Sequence, residues 1–215
     1  MAVDGAKMVR QHTAPFAKGM NDLVFQYSPE SWSDTEPDHG IEVCKNVMQI
    51  IEPTEAQAMI LNIPVTVERR LSTQTAALVE YFCQEIPQRT AAIVSMHAHN
   101  DCGTGVSTTE MATLAGADRS EGCVFGVGER TGNEDLLIAA ANLASRGVNP
   151  LIDLSDIPRT RRIYEETTGM VVPDRHPYAG DLVFTAFSGS HQDALKKGFE
   201  AYDKALKIYK SALAD

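Results

Sequence analysis

Residues 91–101 read AAIVSMHAHND, an apolar run that ends in two histidines, an asparagine and an aspartate. Such a run predicts a strand, and a strand turns successive side chains to opposite faces. His97 and His99 therefore point to one side, close enough for two imidazole nitrogens to share a divalent ion. In a parallel sheet this C-terminal end is where α/β active sites are built. The alternative is an exposed loop with incidental histidines. Asp101 has the same parity but lies past the expected strand end, and is read as a cap on the helix that follows.

Working outward, similar β-prone runs occur at DLVFQYS (22–28), AMILNIPVTV (58–67) and SEGCVFGVG (120–128), so that the four starts are 36, 33 and 29 residues apart. The segments between them carry helical spacing. Ile41, Cys44, Val47, Met48 and Ile51 share one helix face, as do Ala76, Val79, Phe82, Cys83 and Ile86. Strand, helix, strand at this period predicts βα units and a parallel sheet. Near-continuous apolar strands such as AMILNI imply burial on both faces, which suits an open doubly wound sheet or a (β/α) barrel, and the pattern alone does not choose. LLIAAANLASRG predicts a further helix, capped by Asn133 or Thr131 and stopped by Gly147 and Pro150. A boundary is expected there, dividing the chain into 1–150 and 151–215. The second part holds a helix near 155–168, a loop with Pro173 and Pro177, a short apolar run LVFTAFSG, and a basic amphipathic helix from about Ser190 to Ala214. Its RTRR run at 159–162 and its lysines read as solvated faces.

At 215 residues the chain is long enough to bury a core, and its 43% hydrophobic and 22% charged residues are ordinary for a folded protein. A formal net charge of −10 repels phosphate backbones and anionic headgroups, so nucleic acid and membranes are poor partners. No segment approaches the roughly 18 apolar residues of a membrane helix, and MAVDGAKMVRQ lacks a signal-peptide core, so a cytoplasmic location is expected. Four cysteines without a CxxC pair argue against a disulfide framework or zinc ribbon and read as reduced thiols, mostly core filler.

A second polar strand end, GVGERTGN at 126–133, opens the 136–147 helix. Its glycines let backbone approach a ligand and the helix N-terminus offers N–H groups to an anion, although a tight βα turn explains the same spacing. It is not a dinucleotide fingerprint, because the spacing departs from GxGxxG. YSPE at 27–30 and NIPVTVE at 62–68 bring Ser, Glu, Asn and Thr to strand ends, in keeping with a polar pocket or with ordinary loops. By itself His191, in SGSHQD, reads as a helix-start histidine.

Together, YSPESWSDTE, NIPVTVE, HAHND, GADRSEGCVFGVGERTGN and HPYAGDLVFTAFSGSHQDALKKG resemble the 2-isopropylmalate synthase family, within the TIM-barrel metallolyase group. The resemblance runs from about Tyr27 to Gly198. It implies a parallel α/β fold, the second half of a TIM barrel, over 1–150 and a small helical linker subdomain over 151–215. It implies a divalent metal (magnesium, manganese or zinc) held by His97, His99 and Asn133, the last 34 residues beyond His99. It assigns Glu30 and His191 as the catalytic acid/base pair, and Thr66 and Glu129 to substrate binding. The implied reaction joins acetyl-CoA to 3-methyl-2-oxobutanoate in a homo-oligomeric, cytoplasmic enzyme of leucine synthesis. Homocitrate or citramalate synthase-like chemistry is the alternative, as is a non-catalytic fragment; an amidohydrolase using the HxH pair is a distant third.

Departures accompany the resemblance. Nothing in residues 1–24 matches the family's Arg-Asp-Gly motif, whose Asp is a metal ligand and whose Arg contacts substrate. Cys102 stands where relatives have Arg or Leu, and Val127 where they have Asn. Four βα units are half of a barrel, which takes about 250 residues. Weak metal affinity and no CoA release above background are therefore expected of the 215-residue chain alone.

Overall fold

Four short runs of extended chain, β1 (Gln26–Tyr27), β2 (Met59–Val65), β3 (Ala92–Ala98) and β4 (Arg119–Glu121), pair in chain order, each parallel to the next. The computed structural model describes residues 1–14 and 23–213; Asp22, the first residue of the DLVFQYS run, and Ala214, the expected end of the last helix, lie outside them. Helix α1 (Ala2–Thr13) precedes the sheet, while α2 (Pro37–Ile51), α3 (Ser72–Glu85) and α4 (Gly105–Leu114) make the crossovers and α5 (Leu136–Ser145) follows β4. These elements belong to the unit Met1–Leu154; Ser155–Asp215 forms a second. Among the described residues no helix is long and apolar enough to cross a membrane.

Register decides which face is which. Met59, Leu61 and Ile63 sit beside Ala92, Val94 and Met96. All six belong to one core with Ile41, Cys44, Val47 and Met48 of α2, Val79 and Phe82 of α3, and Ala112 of α4. Burying each large member of this set stabilises the fold by about 1.5–3 kcal/mol. The other face carries Ile60, Ile93 and Pro64 together with the polar Asn62, Ser95 and Glu121. Asn62 Nδ2 donates to Ser28 Oγ at 3.0 Å, and Ser95 Oγ donates to Glu121 Oε1 at 3.0 Å. As the near-continuous apolar runs predicted, both faces hold buried residues: on this second face Asn62 is 5% exposed and Ser95 is fully buried. Consecutive strand order with the helical core against one face is the barrel arrangement, whereas a doubly wound sheet carries helices on both.

Two strands are shorter than the sequence predicts. β1 keeps two residues, extended by the Ile60 N–H bond to Phe25 O at 2.8 Å. β4 stops at Glu121 because the chain beyond it pairs with the returning 133–136 segment: Cys123 N–H donates to Glu134 O, and Leu136 N–H to Cys123 O, both at 3.0 Å. That pairing keeps Asn133 extended, so the N-cap of α5 falls to Asp135 rather than to Asn133 or Thr131. Asp135 accepts from Leu137 N at 2.9 Å and Ile138 N at 3.3 Å. The four cysteines are free thiols, but only Cys44 is buried, which pushes its thiol up to about 12; Cys102 is exposed.

The second unit holds α6 (Ile157–Thr168) and α7 (Gly189–Ala212), joined by a loop with a single 3₁₀ turn at Asp181–Phe184. The LVFTAFSG run thus forms a turn and a helix approach. Arg161 is not on a solvated face, as its RTRR context suggested. It is drawn in between Glu165 (3.0 Å), Asp181 (2.8 Å) and the Ala179 carbonyl (3.2 Å). On α7 the side chains of Leu195, Phe199 and Tyr202 are exposed.

Candidate active site

The period of β3 brings His97 and His99 to one side, with ring centroids 5.5 Å apart and planes inclined by 57°. A backbone bridge pairs His99 with Asn133, and Asn133 Nδ2 lies 3.1 Å from His97 Nε2. The three metal ligands implied by the resemblance therefore meet at the C-terminal end of the sheet. The Nδ1 atoms of both histidines are buried and, among the described residues, have no hydrogen-bond partner. Burial, with the Arg130 charge nearby, holds the His99 imidazole below its ordinary pKa, the direction that suits a neutral ligand. Two imidazoles and a carboxamide, its oxygen turned to the histidines in place of Nδ2, suit a divalent ion, and the unpartnered ring nitrogens fit one. Among the described residues no group of three or more His, Cys, Asp and Glu side chains adds to this set.

The glycines of GVGERTGN serve the protein's own chain. A Cβ on Gly128 would stand 2.0 Å from Asn133 Oδ1, and one on Gly132 would stand 1.8 Å from Gly126 O. The loop folds tightly upon itself so that Asn133 is presented to the histidines. The adjoining helix end is also occupied from within, by the Asp135 carboxylate, which corrects the idea of an anion site there.

Glu30 and Thr66 meet on the same face end. Thr66 Oγ1 donates to Glu30 Oε1 at 3.0 Å and accepts from Ser31 N–H at 3.0 Å. Ser31 adopts a left-handed φ of 57° that turns the chain into the buried Trp32. Glu129 is not drawn into this group. Its carboxylate is 79% exposed and pairs with Arg130 at 3.4 Å. His191 belongs to the second unit, in the first turn of α7. Its N–H donates to the capping Ser188 Oγ at 3.2 Å, and it lines a groove of about 710 Å³ with Thr185, Leu195, Phe199 and Tyr202.

Several residues at the site escaped the sequence reading. Asp101 does not cap α4. It accepts Glu68 N–H at 3.0 Å and pairs with Arg130 Nε at 2.8 Å, and these bonds bring its carboxyl down to about 2. The first N–H of α4, that of Gly105, donates to Asn100 Oδ1 at 2.9 Å, and Glu68, only 2% exposed, accepts from Cys102 N at 2.5 Å and from the Thr104 hydroxyl in the turn before it. Glu121 brings Oε2 to 3.8 Å from His97 Nδ1. Glu134, wholly buried, has its carboxyl pushed up to about 7 by burial and takes a 2.8 Å hydrogen bond from Thr109 Oγ1.

The chain is similar to the 2-isopropylmalate synthases of Rhodospirillum rubrum (50% identical over 95% of this chain and 36% of that protein), Acetoanaerobium sticklandii (48%, over 97% and 36%) and Azotobacter vinelandii (52%, over 83% and 32%). It spans about a third of the length of these relatives. Its fold is shared with the HMG-CoA lyase of Bacillus subtilis (TM-score 0.58, 17% identity, 79% of this chain and 57% of that one). The same fold appears in an HMG-CoA lyase from Acinetobacter baumannii in complex with coenzyme A and 3-methylmalate (TM-score 0.60, 14% identity, 82% and 59%). Residues 181–212 match the post-catalytic domain-like region of alpha-isopropylmalate synthase. Since residues 2–163, which include the histidine pair and the loop that presents Asn133, match the HMGL-like family, the chain belongs to that family.

Proposed function

We propose that this chain takes part in a divalent-metal-dependent condensation of acetyl-CoA with a 2-keto acid. The reaction is acetyl-CoA, 3-methyl-2-oxobutanoate and water giving 2-isopropylmalate and CoA. The observation that carries it is the His97–His99 pair at the C-terminal strand ends, each with a buried Nδ1 that has no hydrogen bond among the described residues, and with His97 Nε2 beside the Asn133 amide. His97, His99 and Asn133 would hold magnesium, manganese or zinc. When bound, such an ion supplies Lewis-acid polarisation of the keto carbonyl. Glu30 takes a proton from the acetyl methyl group at its carboxylate, which the Thr66 hydroxyl orients, and the resulting carbon nucleophile attacks the keto carbon. Thr66 and Glu129 contact the keto acid. His191 is the second acid/base group. Hydrolysis of the thioester then releases CoA. The enzyme works as a homo-oligomer in the cytoplasm.

Support comes from the relatives' shared name and from the coenzyme A held by the Acinetobacter lyase of the same fold. The test is linkage between metal and keto acid, which must be reciprocal. In calorimetric titrations, 3-methyl-2-oxobutanoate is expected to tighten Mn²⁺ binding about tenfold, a coupling of about 1.4 kcal/mol. Pyruvate and 2-oxoglutarate should do less. A larger effect from either would move the assignment to a sister acyltransferase, and equal Mn²⁺ affinity with every keto acid would contradict it.

A further inference from the structure

Arg130 lies in the middle of the self-folded loop with φ at +58°, a left-handed conformation uncommon outside glycine. Its side chain compensates by reaching two other strand ends. Nε is 2.8 Å and Nη2 3.4 Å from the two oxygens of Asp101, just past β3. Nη2 also donates to the Thr66 carbonyl, just past β2, at 2.5 Å. Asp101 in turn holds the Glu68 N–H at 3.0 Å, which closes the link between the two strand ends. The loop carrying Arg130 is tied to the histidine segment by Asn100 N–H donating to Gly132 O at 3.0 Å.

One guanidinium thus joins the segment that carries Thr66 and its bond to Glu30, the segment that carries His97 and His99, and the loop that ends in Asn133. Resting on the function proposed above, we infer that Arg130 is the positioning residue of the site: it sets Asn133 against the histidines and Thr66 against Glu30 by clamping three segments. A planar fork is required, since the same group meets a carboxylate and a carbonyl in fixed directions; a lysine ammonium would keep the charge and lose the fork. Its side chain is 35% exposed and its Asp101 partner 19%, so the pair contributes little to global stability and its loss should register at the site.

The test compares the full chain with Arg130→Ala and Arg130→Lys, using Mn²⁺ titration followed by electron paramagnetic resonance, and amide hydrogen exchange. Arg130→Ala is expected to weaken Mn²⁺ binding by about tenfold or more, the range seen when groups that orient metal ligands are lost. Arg130→Lys should fall short of recovery, and millimolar methylguanidinium added to Arg130→Ala should restore the affinity, which a general loss of structure would not allow. Exchange at the Asn100 and Asn133 amides, bonded to Gly132 O and Gly126 O, should rise in both variants. Unchanged Mn²⁺ affinity in a folded Arg130→Ala, or in Arg130→Lys should the alanine variant not fold, would overturn the inference. If the unmodified chain binds no Mn²⁺, the metal reading fails while exchange still decides the clamp: faster exchange at both amides supports it and unchanged exchange overturns it.

Discussion

Gly132→Ala is expected to lower the unfolding free energy of the first unit by about 3 kcal/mol and to abolish the meeting of Asn133 with His97. Gly132 has a φ of +94°, outside the range an alanine adopts without strain, and its added Cβ would stand 1.8 Å from the carbonyl oxygen of Gly126. That carbonyl cannot simply retreat, because it accepts the Asn133 N–H at 3.0 Å. Relief of the clash therefore breaks the bond that places Asn133. Gly147 supplies the control: its φ is +80°, but no atom lies within 4 Å of the place an alanine methyl would take, so Gly147→Ala should cost only the conformational part, about 1 kcal/mol. Urea unfolding of both variants checks this, and equal losses would show that close packing in the loop is not what constrains Gly132.

Phe82→Ala is expected to cost about 4 kcal/mol. Phe82 is fully buried on α3, and its ring meets that of Trp32 edge to face at 5.7 Å, with an interplanar angle of 89°. Removing it opens a cavity beneath Trp32, the residue that anchors the turn carrying Glu30 and Ser31. The loss should appear in urea melts together with a change in Trp32 fluorescence, Trp32 being the chain's single tryptophan. Phe82→Leu should cost less than the alanine change, because it retains most of the volume.

The long elements were legible because their periods are long enough to repeat. Ile41, Cys44, Val47 and Met48 mark the buried face of α2, and Val79 and Phe82 that of α3, as the helical spacing required. β2 and β3 follow their apolar runs to within a residue or two. β1 and β4 did not, since a strand of two or three residues is defined by its partner; the partner of the chain after Glu121 is a returning segment that no local pattern announces. The choice between barrel and doubly wound sheet turned on strand order and on the core helices lying against one face, with Asn62 and Ser95 on the other. Each is a single polar residue within an apolar run, and both lie on the face away from the core.

At the site, the same-side placement of His97 and His99 follows from strand alternation and was readable in five residues. The GVGERTGN loop was readable as a loop at a helix start, but its glycines make room for Asn133 and Gly126 rather than for a ligand. The clamp was hidden for a different reason. Arg130 bonds to Thr66 across 64 residues and to Asp101 across 29, and nothing in composition or period encodes such pairings. Asp101 looked like a helix cap because it precedes α4, yet it is its neighbour Asn100 whose Oδ1 accepts the Gly105 N–H at that helix start.

The most direct test of the metal site is electron spin-echo envelope modulation of Mn²⁺ bound to the full chain. Nitrogen modulation from two imidazoles is expected, reduced to that of one in His97→Ala and in His99→Ala, with the bound fraction falling in both. Bound Mn²⁺ whose spectrum shows no imidazole nitrogen, or that is unaltered by either substitution, would contradict the assignment of His97 and His99 as the ligands on which the proposed condensation depends.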